Sequence, residues 1–422
     1  MIFVDPLPAI IVSFCFLGVM LYKRVNLGIT LNATAIILAL LALSWQEIPK
    51  IIYSTVDYST FEGRLAISVV LATFGIMLLS YLYKETGVIN CLSESFGRIV
   101  KNSKVVLSVL PAVIGFLPVA GGALMSAPLV ESEAAKLKLK PEKKAYVNLW
   151  FRHTIFPVYP LSQGLIVTAG LTATTVPSII VRQIPVVIAM IVVGYLISFR
   201  KVPKPTNEEN ARINSDVNSN LRSFFVAFSP ILATIIAAVI LDLVGFDLAK
   251  QGFDVLIATF IGIIVLIAIS KLSLQSFVKP LKNWGIYGIT LAAYGALLLG
   301  KVMRAIGIPK IFETFVSNGS VDVILLLTVI PAVLGVFTAS ALGGVSLSVP
   351  IFSGIITLSP NIPRTASLIY ISAFLGYIIA PTHLCFTFTA EYFNCPLGKI
   401  YKYVIPSFLT TFITAILIYL LV

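Results

Sequence analysis

The sequence predicts an all-α polytopic membrane protein of about ten transmembrane helices plus two re-entrant hairpins, arranged as an inverted repeat with two broken helices. Three observations predict it. Of 422 residues, 58% are hydrophobic and only 11% charged, which leaves too little polar surface to clothe a water-soluble globule. Apolar runs near the roughly 20 residues needed to cross the hydrocarbon recur along the whole chain. Finally, one apolar stretch broken by Gly and Pro occurs twice, about 220 residues apart.

The repeated stretch reads LPAVIGFLPVAGGALMSAPLV from Leu110 to Val130, and IPAVLGVFTASALGGVSLSVPIF from Ile330 to Phe352. Pro111 pairs with Pro331 and Gly115 with Gly335. After one two-residue insertion, Gly121 and Gly122 pair with Gly343 and Gly344, Ser126 with Ser348, and Pro128 with Pro350. With a bend across Gly115 to Gly122, each flank has only about ten residues, which at about 1.5 Å per residue reaches halfway across a bilayer. Such a segment enters and leaves on one side. Its interrupted backbone is tolerated only where it packs in protein or faces a water-filled cavity.

In order, residues 1–200 form the first repeat, with spans near 7 to 22, 27 to 44, 64 to 83, 145 to 170 and 174 to 199, and a hairpin at about 104 to 130. The N-terminus enters its first apolar run after Asp5-Pro6 without a positive leader region, so it reads as a span rather than a cleaved signal peptide. Residues 201–221, rich in charge and Asn, form a linker. Residues 222–422 repeat the plan, with spans near 223 to 243, 253 to 270, 284 to 303, 365 to 395 and 401 to 421, and a hairpin at about 321 to 352. Each half holds an odd number of spans, so the copies face opposite ways. Residues 84 to 102 and 301 to 318 mix charge with apolar residues at helical spacing and read as interfacial amphipathic helices.

Charge fixes the orientation. The net charge of +12 is spread over short connections, where Lys and Arg act as topology signals rather than as a nucleic-acid surface. Lys23 and Arg24, the run from Lys136 to Lys144, and Arg200 with Lys201 fall on one side, which the positive-inside rule makes cytoplasmic. Both termini are then extracytoplasmic and the linker is cytoplasmic, in a multi-pass protein of the cell membrane. Cys15, Cys91, Cys385 and Cys395 lack CxxC spacing, so the sequence calls for neither a disulfide framework nor a bound metal.

Candidate chemistry lies where the spans break. Pro157 and Pro160 interrupt the fourth span and Pro381 interrupts its counterpart, because proline removes a helix hydrogen bond and clashes with the preceding turn. Two broken helices and two hairpin tips then meet inside the membrane. There, N–H groups at half-helix N-termini can take an anionic group, while carbonyl and hydroxyl oxygens can hold a cation. The candidate binding residues are Gly121, Gly122, Ser126, Thr154, Pro157, Pro160, Ser162, Thr338, Ser340, Gly343, Gly344, Ser346, Pro381, Thr382 and His383. Hydroxyls in apolar helices also bond back to their own helix, so each one alone is weaker evidence than the cluster.

Ionisable groups inside spans are expensive and few. Arg152 and His153 fall within about two turns of the cytoplasmic end of the fourth span, from where a side chain can snorkel to the headgroups. Glu131 and Glu133 follow the first hairpin beside the lysine run and read as solvated. His383 alone sits mid-span. Without a mid-span carboxylate, Na⁺ held by backbone and hydroxyl oxygens is the expected coupling ion, with a proton on His383 as the rival.

Paired hairpins with Gly and Ser/Thr at their tips, each followed by a broken span, resemble the ion-transporter superfamily, which includes dicarboxylate/sodium symporters and citrate, gluconate and arsenite carriers. More narrowly, GFLPVAGGALMSAPLVESEA and FRHTIFPVYPLSQGL resemble a family of uncharacterised prokaryotic, largely archaeal, integral membrane proteins assigned to it. The resemblance covers essentially the whole chain. It implies a transport domain of hairpins and broken helices moving against a scaffold, often in a homodimer. The Ser-Asn-Thr triplet of the dicarboxylate symporters is missing from both tips: Pro118-Val119-Ala120 and Thr338-Ala339-Ser340 stand in those neighbourhoods.

The function expected is secondary active transport of a small organic or inorganic anion by alternating access, with no resident cofactor. A membrane-embedded enzyme is the alternative, against which stands the lack of HExxH, DDxxD-like and GxSxG motifs. A channel is the third reading.

Overall fold

The computed structural model describes residues 4–100, 102–116, 122–200, 202, 217–244, 253–319 and 322–421. The linker from 203 to 216 and the first hairpin tip from 117 to 121, including Gly121, lie outside them. Among the described residues the fold is wholly helical. The first half runs α1 (Pro6–Tyr22), α2 (Leu27–Ala42), α3 (Glu47–Thr55), α4 (Phe61–Glu85), α5 (Val88–Ile99), α6 (Ser103–Gly115), α7 (Ala123–Lys136), α8 (Pro141–His153), α9 (Gln163–Thr172) and α10 (Val176–Phe199). The second runs α11 (Val217–Val244), α12 (Phe253–Ser270), α13 (Leu274–Leu281), α14 (Trp284–Ala305), α15 (Ile308–Ser317), α16 (Val323–Thr338), α17 (Ala341–Ile351), α18 (Ser353–Leu358), α19 (Ile362–Ile379), α20 (Leu384–Tyr392) and α21 (Leu397–Leu421).

The element order repeats with the sequence. Glu85, Val88 and Ser103 bound their helices 220 residues before Ala305, Ile308 and Val323 do. Even the turns match: Gly87 and Gly307 both take positive φ, at 70° and 80°, just past α4 and α14. Each donates its N–H back to the preceding helix, to Lys84 and Arg304, in the left-handed stop that only glycine adopts without strain.

Among the described residues, eight helical segments are long and apolar enough to cross a membrane, counting α8 with α9 and α19 with α20 as interrupted segments. The expected first two spans, α1 and α2, have 17 and 16 residues. At about 1.5 Å per residue they fall short of the ~30 Å hydrocarbon unless the bilayer thins around them.

The third expected span of each half packs on the second expected span of the other. α2 lies against α14 and, reciprocally, α12 lies against α4. At the first crossing a Cβ on Gly28 would sit 2.3 Å from the Gly288 carbonyl oxygen, and Asn32 donates from Nδ2 to the Leu291 carbonyl at 2.8 Å. This is the small-residue approach with an amide cross-brace by which helices associate where no water drives them together.

The repeated hairpins lie against the broken helices. α6 packs on α8, and α16 packs on α19. The paired glycines make both contacts: a Cβ on Gly115 would stand 2.5 Å from the Arg152 carbonyl oxygen, and one on Gly335 would stand 2.0 Å from that of Ala373. Gly335 therefore serves close approach and not the bend. α16 continues through it to Thr338, and the chain turns at Ala339, with φ 47°, before Ser340 caps α17 through the Gly343 N–H. Gly343 and Gly344 consequently sit in the first turn of α17. The second hairpin has flanks of 16 and 11 residues, longer than the expected ten on one side.

Burial separates centre from periphery. Ala145 to His153 in α8 and Thr365 to Gly376 in α19 are buried on every face. A helix enclosed on all sides is core, and one apolar yet exposed faces lipid or another chain. The second kind is represented by α11 and α21, whose apolar windows are only 28% and 22% buried.

Candidate functional site

Both central helices stop inside the protein. α8 ends at His153, a short 3₁₀ turn spans Phe156–Val158 with Pro157 inside it, and α9 begins at Gln163. α19 ends at Ile379 and α20 begins at Leu384, after Pro381. Side chains from other elements satisfy the freed carbonyls. Tyr370 Oη donates to the Phe156 carbonyl at 3.2 Å, and Tyr401 Oη to that of Ile379 at 2.8 Å.

Between the two breaks and the second hairpin lies a cavity of about 320 Å³. Three helix N-termini open on it: Ser162, Gln163 and Gly164 of α9; Ser340, Ala341 and Leu342 of α17; His383, Leu384 and Cys385 of α20. Ser162 and His383 make no side-chain cap, so the first N–H groups of α9 and α20 are not occupied by their own capping residues. Each such terminus carries about half a positive charge. Arg152, only 1% exposed, adds a permanent one, and among the described residues no carboxylate lines the space. The arrangement suits an anion.

Two histidines share the wall. His153 Nδ1 lies 2.6 Å from the Leu149 carbonyl oxygen, which can only accept, so this nitrogen carries the proton and Nε2 the lone pair. Tyr377 Oη stands 3.2 Å from that Nε2 and donates to it. The His383 ring meets that of His153 edge-on, with centroids 4.9 Å apart. Among the described residues neither ring nitrogen of His383 makes a hydrogen bond of ordinary length and angle, and only the Ile378 carbonyl approaches the ring more loosely.

Of the candidate residues, the structure brings Ser162, Ser340 and His383 to this cavity. Thr154 instead bonds back to the Phe151 carbonyl, Thr338 to those of Leu334 and Ser340, and Ser346 to that of Leu342. Those hydroxyls serve their own backbone. Pro157 and Pro160 shape the break without lining the space, Gly343 and Gly344 lie in α17 behind its first two residues, and Pro381 and Thr382 are exposed. Gly122 precedes α7 outside the cavity lining. Arg152 and His153, placed by the sequence where they could snorkel, are fully enclosed, because α8 is packed on all sides up to its last residue. Glu131 and Glu133 pair at the surface with Lys144 and Lys136.

Sequence reasoning missed Asn148. Ser126 Oγ donates to Asn148 Oδ1 at 2.6 Å, while Asn148 Nδ2 donates to the Ala123 carbonyl and to Thr389 Oγ1, each at 3.0 Å. One buried amide thereby joins α7, α8 and α20, that is, the first hairpin to both broken helices. Its signal was present: a lone amide in the apolar run from Ala145 to Phe151.

No curated protein matches the chain. The model of one family, described as a protein of unknown function (DUF401), matches residues 8–422. With nearly the whole length matched, the chain belongs to the DUF401 family.

Proposed function

We propose that the chain is a secondary active transporter that moves a small organic or inorganic anion by alternating access, rather than a membrane-embedded enzyme or a channel. The observation that carries this reading is the cavity where Arg152 and the N-termini of α9, α17 and α20 converge with no carboxylate among the described lining residues. Preorganised N–H groups and a guanidinium replace the hydration shell of an anion without reorganisation, as at half-helix sites in other carriers. A volume of about 320 Å³ admits a solute of metabolite size.

In this reading α1 and α2 complete ten spans, the hairpins α6–α7 and α16–α17 are re-entrant, and the two halves are inverted copies, as in the ion-transporter superfamily. Hairpins and broken helices form the moving body, and the α2–α14 and α4–α12 pairs form the scaffold. The sparsely buried α11 and α21 face lipid or a second copy in a homodimer. The termini are extracytoplasmic. Lys138→Cys, in the loop before α8, is then labelled by an impermeant maleimide only after the cell membrane is opened.

Coupling is to Na⁺ through backbone and hydroxyl oxygens. Proton coupling is the second reading, favoured by His153 and His383 on the cavity wall. Reconstituted protein tests both. Saturable uptake of a labelled anion, with counterflow, is expected, driven by an imposed Na⁺ gradient. Uptake driven by pH alone selects the second reading, and non-saturating flux without counterflow contradicts the carrier.

A further inference from the structure

The cavity wall holds a cluster that anion binding does not use. His153, His383 and Cys385 each offer one ligand atom, and these atoms lie within 4.8 Å of one another. The three residues are 0%, 2% and 8% exposed. They come from both halves: His153 ends α8, while His383 and Cys385 open α20.

We infer that His153, His383 and Cys385 form a binding site for one soft monovalent d¹⁰ cation, with Cu⁺ as the ion that fits. Three features lead there. The Leu149 carbonyl fixes the proton of His153 on Nδ1 and leaves Nε2 basic, the second-shell arrangement that prepares a histidine for a metal. His383 is enclosed, with at most a loose approach of its ring N–H to the Ile378 carbonyl and nothing to take the lone pair of its other nitrogen, an arrangement that costs folding free energy unless something binds that lone pair. Cys385 supplies a thiol, and thiolate with imidazole is a donor set for Cu⁺ or Zn²⁺.

Charge decides between those two ions. Arg152 lines the same cavity, three helix N-termini point into it, and no carboxylate is among its described lining residues. A thiolate with Cu⁺ is neutral, whereas a thiolate with Zn²⁺ leaves a net positive charge buried beside a guanidinium. The binding step balances without redox change. The Cys385 S–H bond breaks, its proton leaves to solvent, a Cu–S bond forms, and His153 Nε2 and one His383 nitrogen each donate a lone pair. Nε2 gives up the Tyr377 hydroxyl to do so. Ligand atoms around such a metal stand about 3.5 Å apart, so the side chains close in by about 1 Å. The occupied site ties α8 to α20 and so joins the two halves.

The test uses the full chain purified in detergent under reducing conditions and titrated with Cu⁺ against the chromophoric chelator bicinchoninate. One Cu⁺ withdrawn per chain is expected, in competition with excess Zn²⁺, and retained when Cys15, Cys91 and Cys395 are replaced by Ser. Cys385→Ser and His383→Gln should each weaken binding by about 100-fold or more. X-ray absorption on the copper-loaded wild type, which needs no variant to fold, should give one sulfur and two nitrogen scatterers. No copper withdrawn, a copper shell without sulfur, undiminished binding by both folded variants, or uptake of Zn²⁺ in preference to Cu⁺ would each overturn the inference.

Discussion

Gly335→Ala tests the contact that positions the second hairpin. The added methyl would start 2.0 Å from the Ala373 carbonyl oxygen and 2.9 Å from its carbon, both backbone atoms that no rotamer change can move. An ordinary contact needs about 3.3 Å, so α16 and α19 must separate by roughly 1 Å, and overpacking of this kind costs about 1–3 kcal/mol. Gly376→Ala meets the Ala332 carbonyl oxygen at the same crossing, also at 2.0 Å. Once the helices have parted for one methyl, the second has less to displace, so the double variant should lose clearly less than the sum of the singles. Gly97→Ala, in α5 with nothing within 4 Å of its Cβ, is the control and should be neutral or stabilise by up to about 1 kcal/mol. Unfolding of the purified proteins in detergent reads all four. Gly335→Ala as stable as wild type, or a fully additive pair, would refute the close crossing of hairpin and broken helix.

Other outcomes follow from the same structure. Asn148→Leu leaves Thr389 Oγ1 without its partner and leaves Ser126 and the Ala123 carbonyl only their own 3.2 Å bond, and should destabilise by about 1–3 kcal/mol, read in the same unfolding assay. Ser340→Ala removes the cap on Gly343 at the cavity edge and should cost about 1 kcal/mol, while Ser340→Asn, which can still cap, should retain most of it. Gly115→Ile should perturb the first hairpin as Gly335→Ala perturbs the second, because its Cβ starts 2.5 Å from the Arg152 carbonyl oxygen; loss of anion uptake with normal membrane insertion is the expected result. The Asp57 carboxyl, held below its usual range by hydrogen bonds from the Ser59 side chain and backbone, should move up towards it in Ser59→Ala, measured by carbonyl chemical shift against pH.

Much of this layout was legible in the sequence because proline and glycine act locally. The interruptions fall close to Pro157 and Pro381, where the missing N–H weakens the helix, whereas Pro111 and Pro331 are carried inside unbroken helices, so proline marks where a helix can break and its surroundings decide it. The duplicated glycines marked elements that pack closely, though not how they do so. Nothing local distinguishes Gly335, which admits a neighbouring carbonyl, from a glycine that turns the chain, and the actual turn uses Ala339 in a conformation no composition rule assigns to alanine. Depth was harder still. Arg152 sits at the end of a helix enclosed on all faces, and such a helix has no apolar stripe from which burial can be read. The meeting of His153 with Cys385 depends on how α8 and α20 approach across the two halves, which residues more than 200 positions apart cannot announce.

The central claim is that the cavity around Arg152 binds an anion, and ligand-dependent stability tests it without knowing the transport cycle. Purified wild type and Arg152→Gln would be melted against a panel of mono-, di- and tricarboxylates, phosphate and sulfate, each with and without Na⁺. An anion held at 100 times its dissociation constant contributes about 2.7 kcal/mol, a rise of several degrees in melting temperature. A rise with at least one anion in the wild type, lost in a folded Arg152→Gln, is the predicted result. Equal stabilisation of both proteins by every stabilising anion would contradict the account.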